Sequence, residues 1–397
     1  MKPSVLYLSM LRESPSHEAK LSGVRRFCEM RGWEAVPVPR EGVSPEVLPE
    51  LFRRYRPVVG CVADGIGSMA LLPPRLFRSV PVCYIGYPPG TTGRRLNLRF
   101  DARAIAAAAL RELSAGRPSG YAAVGNPRLE DWSLRRVLAF RSAVRAGGGR
   151  CFVFPALPDR ARESEADFTA RLVPWLAGLP ERCAVFAVSD QTAVLVARAA
   201  HAARRPVPRS LTLLSVDNFE ALCESADPPI SSIQLDFERE GFLAASVIGE
   251  HACWRTGGAG GKRPSPHTVL GPLLTVRRMS TSGRGRHESW VLDAVQIIRR
   301  EACDGLAPAA LVARLKVSKS LFNLRFRETT GHSVLDEITH VRLEKATTLL
   351  AQTDTAIGAV PALCGYSCDR TLDAVFRARF GMGMREWRKR NRRRPCV

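Results

Sequence analysis

Seven short apolar runs alternate with amphipathic stretches between residue 3 and about residue 255. Most of the runs end in a polar residue, and all are rich in Val, Leu, Ala or aromatic side chains; they are VLYLS, PVVGCVAD, VPVCYIGY, YAAVGN, CFVFP, CAVFAVSD and LTLLSVDN. Such runs are typical of strands that are buried on both faces of a parallel sheet. The alternation therefore predicts βαβ units and a doubly wound α/β fold.

The pattern also predicts where domains begin and end. The α/β units form two groups that separate near Ser114–Gly120, and the chain is expected to return to the first group near residues 230–248. From Trp290 onward the periodicity is helical throughout. We therefore expect a two-lobed α/β domain over residues 1–279, a basic linker (STSGRGRHES) over residues 280–289, and an all-α domain over residues 290–397.

The segment Leu306–Gly331 predicts a helix-turn-helix motif. A short turn is expected at Lys316–Val317, Ser318 suits the N-cap of the second helix, and Phe322 and Phe326 face inward four residues apart. The second helix of this motif enters the major groove of DNA, where polar side chains contact base edges and phosphates. The candidate DNA contacts are Ser318, Lys319, Ser320, Asn323 and Arg327.

A second segment, Ile357–Gly381, predicts a second motif, with its turn at Gly365. Its candidate DNA contacts are Asp369, Arg370, Asp373 and Arg377, and Ile357, Val360 and Leu363 are expected to face inward. Pro361 lies in the leading helix, where an interior proline costs ~3 kcal/mol but a proline in the first turn costs little. We expect this helix to begin near Gly358 and to be short, and Pro361→Ala to stabilise the domain modestly.

Residues 333–354 predict one helix of about twenty residues between the two motifs. It spans roughly 30 Å, close to the ~34 Å repeat of successive major-groove faces on one side of a duplex. The formal net charge of the whole chain is +21, which favours a polyanionic partner. Double-stranded operator DNA is therefore the expected partner.

Residues 290–388 resemble the AraC/XylS-type DNA-binding domain. The resemblance lies in RLEKATTLLAQTD, IGAVPALCGYS and FRARFGMGMREWR. The chain departs from that family at Pro361, where a helix-compatible residue is usual, and at Thr371–Leu372, which replace a common aromatic pair.

The two-lobed domain predicts a ligand cleft between its lobes, at the carboxyl ends of the strands. Asp64, Asp190, Asp217 and Asn218 follow apolar runs, and Arg136 lies on a helix expected to face the same cleft. Carboxylates accept hydrogen bonds from sugar hydroxyls, and arginine donates in a fork. These five residues are the candidate ligand contacts.

The same domain resembles LacI/GalR-type sensors of the periplasmic-binding-protein-like class, in FAVSDQTAVLVARAA, in RRVLAF and in the stretch from LLSVDN to FLAA. In that family the positions that match Asp190, Arg136 and Asp217 commonly contact the effector. A sensor followed by an AraC-type domain is similar to the XylR-type regulators. The resemblance implies a homodimeric transcription activator that is controlled by a small sugar such as xylose or another pentose, with RNA polymerase as a further partner.

Two other interpretations stay open: a sugar-modifying enzyme that uses Asp190 and Asp217, and a ligand-independent DNA-binding protein with a vestigial sensor. The chain contains no G-x-S-x-G motif, no HExxH motif and no phosphate loop after a strand, so we expect no catalytic activity. Its 11 scattered cysteines lack metal-ligand spacing, so we expect no metal and no cofactor. Without a run of eighteen apolar residues, we expect no membrane partner and a cytoplasmic, nucleoid-associated bacterial protein.

Overall fold

A computed structural model describes residues 2–9, 15–38, 43–65, 74–77, 80–87, 96–127, 130–155, 163–255, 267–282, 289–330 and 332–391. The contacts divide the chain into two compact units. One comprises Met1–Ala245 and Pro266–His287, and the other comprises Ser246–Ser265 and Glu288–Val397.

The described strands all lie in the first unit. They are β1 (Ser4–Ser9), β2 (Glu34–Val38), β3 (Val58–Asp64), β4 (Val82–Ile85), β5 (Leu96–Phe100), β6 (Gly120–Val124), β7 (Cys151–Val153), β8 (Cys183–Ala187), β9 (Leu211–Asp217), β10 (Ser231–Gln234), β11 (His267–Leu270) and β12 (Leu274–Val276).

The helices occur in both units. They are α1 (Pro15–Met30), α2 (Leu48–Arg54), α3 (Ala102–Ser114), α4 (Asp131–Ala146), α5 (Glu165–Ala177), α6 (Asp190–Ala202), α7 (Glu220–Ser225), α8 (Phe237–Arg255), α9 (Met279–Ser282), α10 (Ser289–Glu301), α11 (Pro308–Leu315), α12 (Lys319–Thr330), α13 (Val334–Gln352), α14 (Val360–Leu363), α15 (Asp369–Phe380) and α16 (Met384–Asn391). Short 3-10 turns lie at Pro74–Phe77, Ala302–Asp304 and Ile357–Ala359.

Two six-stranded sheets confirm the expected two-lobed α/β fold. Their strand orders are β11-β5-β4-β3-β1-β2 and β12-β10-β9-β8-β6-β7. All pairs are parallel except β10 with β12. Each of the seven apolar runs contains a strand, and the second sheet begins with β6 at Gly120, as predicted. β11 takes the chain back to the first sheet.

The burial of β8 shows why its sequence is apolar throughout. Cys183, Val185 and Ala187 pack in a cluster with side chains of α5 and α6. Ala184 and Phe186, which alternate with them, pack in another cluster with side chains of α3 and α4. Successive side chains of a strand point to opposite faces, so a strand covered by helices on both faces needs apolar residues at every position.

The first residues of the predicted linker pack against the second sheet. Ser280, in the four-residue helix α9, is fully buried. Its hydroxyl donates to the carbonyl of Leu213 at 2.6 Å and accepts from the amide of Ser231 at 2.8 Å. Residues 280–282 therefore extend the α/β unit, while residues 256–266 and 283–288 lie outside the described residues.

The helical unit contains the two predicted motifs and the helix between them. Phe322 and Phe326 are fully buried, as expected. α13 has 19 residues and a capping box in which the Ser333 side chain accepts from the Asp336 amide while the Asp336 carboxylate accepts from the Ser333 amide. At 1.5 Å per residue this helix spans about 28 Å, so the predicted helix between the two motifs is confirmed.

Pro361 lies in the first turn of α14, as the sequence predicted. The leading helix of the second motif is a single turn that follows the 3-10 turn at Ile357–Ala359. The expectation that Leu363 faces inward was wrong, since 46% of its surface is exposed. Because the helix begins at Val360, its buried residues are Val360 and Pro361, followed by the buried C-cap residue Cys364, and Leu363 turns toward solvent.

Candidate effector site and nucleic-acid interface

The helices α1 and α8 cross closely in the α/β unit, beside a group of buried charged residues. A Cβ atom at Gly23 of α1 would lie 1.9 Å from the carbonyl oxygen of Glu238, and one at Gly241 of α8 would lie 1.9 Å from that of Lys20. Only glycine allows backbones to approach this closely. The crossing brings Lys20 of α1 beside Glu240 of α8.

Lys20 is fully buried and paired with carboxylates. Its Nζ donates to both carboxylate oxygens of Asp64, at 2.9 and 3.2 Å, and lies 4.0 Å from Oε2 of Glu240. The hydroxyl of Tyr7 donates to Asp64 Oδ2 at 2.5 Å. Tyr7 and Asp64 lie on the adjacent parallel strands β1 and β3, which places their side chains at the same sheet edge. Burial alone would lower the pKa of Lys20, but the charges of Asp64 and Glu240 outweigh it and raise that pKa.

The second lobe contributes a buried pair, Arg136 and Asp217. Arg136 Nη1 donates to the carbonyl of Val188 at 2.6 Å and to Asp217 Oδ1 at 3.2 Å, and the guanidinium lies over the Trp132 ring, 4.8 Å from its centroid. Asp217 ends β9 with φ +106°, a conformation that costs energy for any residue but glycine and that clusters at functional sites.

The carboxyl groups of Asp217 and Glu240 both have raised pKa values. Burial raises the pKa of Asp217 to about 7, although Arg136 opposes the shift. Burial raises the pKa of Glu240 to about 8, with Lys20 opposing the shift and Asp64 adding to it. The charges of Arg136 and Asp217 also act on Glu240. The two lobes therefore share one electrostatic cluster, and perturbed carboxyls of this kind concentrate at functional sites.

Tyr87 adds a buried hydroxyl to the first lobe. Among the described residues this hydroxyl has no hydrogen-bond partner. It lies so close to Gly65 that a Cβ atom there would be 2.5 Å from it, and the pKa of Tyr87 is raised by burial and by the charge of Asp64. A buried polar group without a partner costs free energy unless a ligand or water satisfies it.

Two of the five predicted ligand contacts, Asp190 and Asn218, bond to the strands and loops of the second lobe. Both carboxylate oxygens of Asp190 accept hydrogen bonds: Oδ1 accepts from the hydroxyls of Ser215 and Ser232, and Oδ2 accepts from the amide of Phe219. Asp190 thereby ties the start of α6 to β9 and β10. Asn218 donates to Gln234 at 2.7 Å and accepts from Arg278 at 2.8 Å.

Asp64 thus lies in a buried group with Lys20 and Glu240, two residues that the sequence interpretation missed. The buried pair of Arg136 and Asp217 acts on the same group through its charges, and these five residues are called the cluster below. A lysine and a glutamate on amphipathic helices usually mark the solvent face, so their residue types gave no signal. The paired helical glycines Gly23 and Gly241 were the available sign of a close crossing. In chemical terms the cluster offers carboxylate acceptors and cationic donors, the groups that bind hydroxyl-rich ligands.

The outer face of α12 is exposed as the sequence predicted. Lys316 adopts the left-handed conformation, φ +52°, at the turn, and Ser318 Oγ accepts from the amide of Leu321 at 3.4 Å. The inner face packs on α10, where the rings of Trp290 and Phe322 lie 5.5 Å apart. All five candidate DNA contacts on this motif are exposed, namely Ser318, Lys319, Ser320, Asn323 and Arg327.

The outer face of α15 differs from that of α12. Arg377 donates from Nε to Asp373 Oδ2 at 2.8 Å, so these two candidates pair with each other. Arg370 is exposed, and the side chain of Asp369 lies outside the described residues. The first motif therefore presents more side chains that are ready to meet a duplex.

Arg342, on α13, connects this helix to the turn at Ala302–Leu306 and to Tyr366. Its guanidinium donates to the carbonyls of Ala302 and Leu306, at 2.8 and 3.1 Å, and lies over the Tyr366 ring, 4.9 Å from its centroid. Gly365 passes so close to the turn at Ala302 that a Cβ atom would lie 2.7 Å from that carbonyl oxygen, and its φ is +76°. These contacts fix the second motif against α13.

Comparisons with known domain families agree with this geometry. Residues 101–281 match the model described as "Periplasmic binding protein-like domain", and residues 311–390 match the model described as "Helix-turn-helix domain". The chain joins a periplasmic-binding-like domain to a helix-turn-helix domain. The resemblance to the XylR-type domain order is thereby confirmed.

Curated relatives of this chain share one name, which describes a regulator of a xylose operon. The "Xylose operon regulatory protein" of Escherichia coli (strain K12) is 27% identical over 260 residues, which are 66% of this chain and 64% of that protein. The protein of the same name from Haemophilus influenzae (strain ATCC 51907 / DSM 11121 / KW20 / Rd) is 26% identical over 258 residues, 65% of each chain. The matched part thus spans less than two thirds of these relatives.

Solved structures share the fold. The "structure of xylose-binding transcription activator xylR" matches over 98% of both chains, with a TM-score of 0.55 and 22% identity. A lac repressor dimer bound to operator and an anti-inducer matches over 71% of this chain and 94% of that chain, with a TM-score of 0.55 and 14% identity. Among the described residues, no helix is long and apolar enough to cross a membrane.

Proposed function

We propose that this chain is a sequence-specific, DNA-binding transcription regulator whose binding to operator DNA is controlled by a small neutral sugar held in the periplasmic-binding-like domain. One observation carries the proposal: the same chain contains a buried cluster of donors and acceptors between two α/β lobes and a helix-turn-helix motif with an exposed polar face. The protein acts in the cytoplasm as a homodimer and activates transcription through RNA polymerase.

The charges of the cluster favour a neutral ligand. Two cations, Lys20 and Arg136, face three carboxyl groups, Asp64, Asp217 and Glu240. The formal charge of the cluster is −1 (2 − 3) when all are ionised and 0 (2 − 2) when Glu240 is protonated, as its raised pKa of about 8 favours at neutral pH. An acidic or phosphorylated sugar would add another negative charge to a buried site, at a large desolvation cost. Neutral hydroxyls can instead accept from Tyr87 or the cations and donate to the carboxylates.

The relatives' name makes xylose the first sugar to test, and other pentoses follow. The cluster contains three residues that the sequence identified, Asp64, Arg136 and Asp217. We assign these residues to the effector site, together with Lys20, Glu240 and Tyr87, and we assign Asp190 and Asn218 to the framework that holds β9 and β10.

The test is a thermal-shift screen of the full chain with xylose, arabinose, ribose and glucose, and with glucuronate as an acidic control. A ligand that binds only the folded state raises the unfolding midpoint. We expect a neutral sugar to raise it and glucuronate to leave it unchanged. Asp217→Asn should abolish the shift because it removes the negative charge opposite Arg136 and replaces one acceptor oxygen with an amide donor, whereas the exposed substitution Glu50→Gln should preserve it. A shift by glucuronate alone would refute the neutral-ligand assignment.

One observation favours a second function, DNA binding without an effector. Lys20 and Arg136 already have carboxylate partners among the described residues, so neither cation needs an added ligand to balance its charge. Under this alternative no sugar shifts the midpoint, while the full chain still binds a specific duplex.

A further inference from the structure

Two leucines on α12 stand out among its polar neighbours. Leu324 is 55% exposed and Leu321 is 38% exposed. Leu324 lies two residues after Phe322 and two before Phe326, both of which are fully buried. At about 100° per residue, its side chain projects about 180° from the midpoint of those phenylalanines, so it marks the centre of the outer face.

The neighbours of Leu324 are the predicted DNA contacts. Ser320 lies one turn before it and Arg327 lies three residues after it, and both are exposed. α12 contains three basic residues and one acidic residue, a formal charge of +2 (3 − 1). An exposed leucine on a cationic helix is poorly suited to solvent, but it suits a surface that is anionic overall and carries an apolar group at its centre.

The major groove of DNA is such a surface. Its walls are phosphates, and thymine places an apolar 5-methyl group on its floor, where apolar side chains contact it. The second helix of a helix-turn-helix motif is the one that enters this groove. A protein partner would explain an apolar residue but not its position between Ser320 and Arg327.

We infer that Leu324 reads a thymine methyl group in the operator, with Leu321 bordering the contact, while Asn323 and Arg327 bond to base edges and phosphates beside it. The inference rests on the proposed DNA-binding function and adds a specificity-determining residue to it. Leu324 was not among the residues that the sequence interpretation selected, since leucine on a helix usually marks the core.

The test compares thymine with uracil, which lacks only the methyl group and keeps every hydrogen-bonding atom. A preferred duplex is first selected from a random pool with the full-length protein, and each thymine is then replaced singly by uracil. Burying one methyl group corresponds to about 0.8 kcal/mol, or about fourfold in affinity. We expect at least one position where uracil weakens binding of the unaltered protein about fourfold.

Variants link that position to the side chain. Leu324→Ala should bind thymine and uracil duplexes equally at that position, and Leu324→Met, which keeps an apolar side chain, should retain most of the difference. Leu335→Ala is the matched control, since Leu335 is also exposed (59%) but lies on α13; it should keep the fourfold difference. The thermal midpoint of each variant shows that it is folded.

The outcomes separate this inference from the proposed function. If no duplex is enriched, the proposed DNA-binding function fails. If a duplex is enriched but no uracil substitution weakens binding, the inference is overturned. It is equally overturned if Leu324→Ala shows the same uracil profile as the unaltered protein, since another residue then reads the methyl group.

Discussion

Replacing Lys20 with methionine tests the buried cluster directly. The substitution keeps most of the side-chain volume but removes the cation that contacts both oxygens of Asp64 and lies 4.0 Å from Glu240. Two carboxyl groups then share a buried site without a counter-ion. Breaking a buried pair by removing one partner costs about 3–5 kcal/mol, which for a domain of this size is about 10 °C in the melting midpoint.

The assay is differential scanning calorimetry of the full chain at neutral pH. Lys2→Met is the matched control, because Lys2 is exposed and its loss should change the free energy of unfolding by less than about 0.5 kcal/mol. The double variant Lys20→Met/Asp64→Asn should recover part of the loss, since an amide carries no charge and can still accept from Tyr7. If Lys20→Met is as stable as Lys2→Met, or if the losses of Lys20→Met and Asp64→Asn simply add in the double variant, the buried Lys20–Asp64 ion pair is refuted.

Three further predictions concern single residues. Gly241→Ala should destabilise the α/β unit by several kcal/mol in urea unfolding, because its Cβ atom would overlap the backbone of Lys20. The control Gly178→Ala, whose Cβ atom would have no neighbour nearer than 3.6 Å, should change the free energy of unfolding by less than about 1 kcal/mol. Equal losses in the two variants would contradict the close crossing of α1 and α8. Glu240 has a folded-state pKa of about 8 against an ordinary 4.5, so its contribution to stability is fully present below pH 4.5 and is lost as pH rises toward 8. Glu240→Gln should reduce this decline, which is at most about 1.4 kcal/mol per pH unit for one group. If the melting midpoint of Glu240→Gln depends on pH as that of the unaltered protein does, the raised pKa is contradicted. Pro361→Ala should destabilise the helical unit by about 1 kcal/mol rather than stabilise it, as the sequence had led us to expect. The first turn needs no hydrogen-bond donor from this residue, and the substitution loses the buried ring and its stiffness. A raised melting midpoint would instead favour the expectation from the sequence.

Periodicity predicted the architecture well because the same physics acts on sequence and fold. The seven apolar runs contain strands since a strand covered on both faces must be apolar at every position. Phe322 and Phe326 were placed in the core correctly, because a spacing of four residues puts both on one face of a helix. The position of Pro361 was predicted from the rule that a first turn tolerates proline.

The strands β2, β5, β10, β11 and β12 were not among the predicted runs. β11 and β12 have four and three residues, too few to show a period, and both pair with strands distant in sequence. Leu363 was misplaced because a shift in where α14 begins rotates every later side chain about the helix axis.

The candidate effector site was predictable only in part. Asp64, Asp190, Asp217 and Asn218 all lie at or just after strand ends, and this position does not distinguish a side chain that faces a ligand from one that bonds internally. Asp190 and Asn218 find their partners on β9, β10 and the chain near Arg278, contacts that depend on tertiary pairing. Lys20 and Glu240 meet only because two helices cross at glycines far apart in sequence.

Control of DNA binding by the helical domain through a neutral sugar bound in the α/β domain is the core of the proposed function. It is tested most directly by measuring the affinity of the full-length protein for its selected duplex with and without a saturating concentration of the sugar that raises its melting midpoint, at fixed salt. We expect the affinity to change at least about fivefold, the lower range of such coupling, and Asp217→Asn to abolish the change. An identical affinity with and without the bound sugar would contradict control of DNA binding by the sugar.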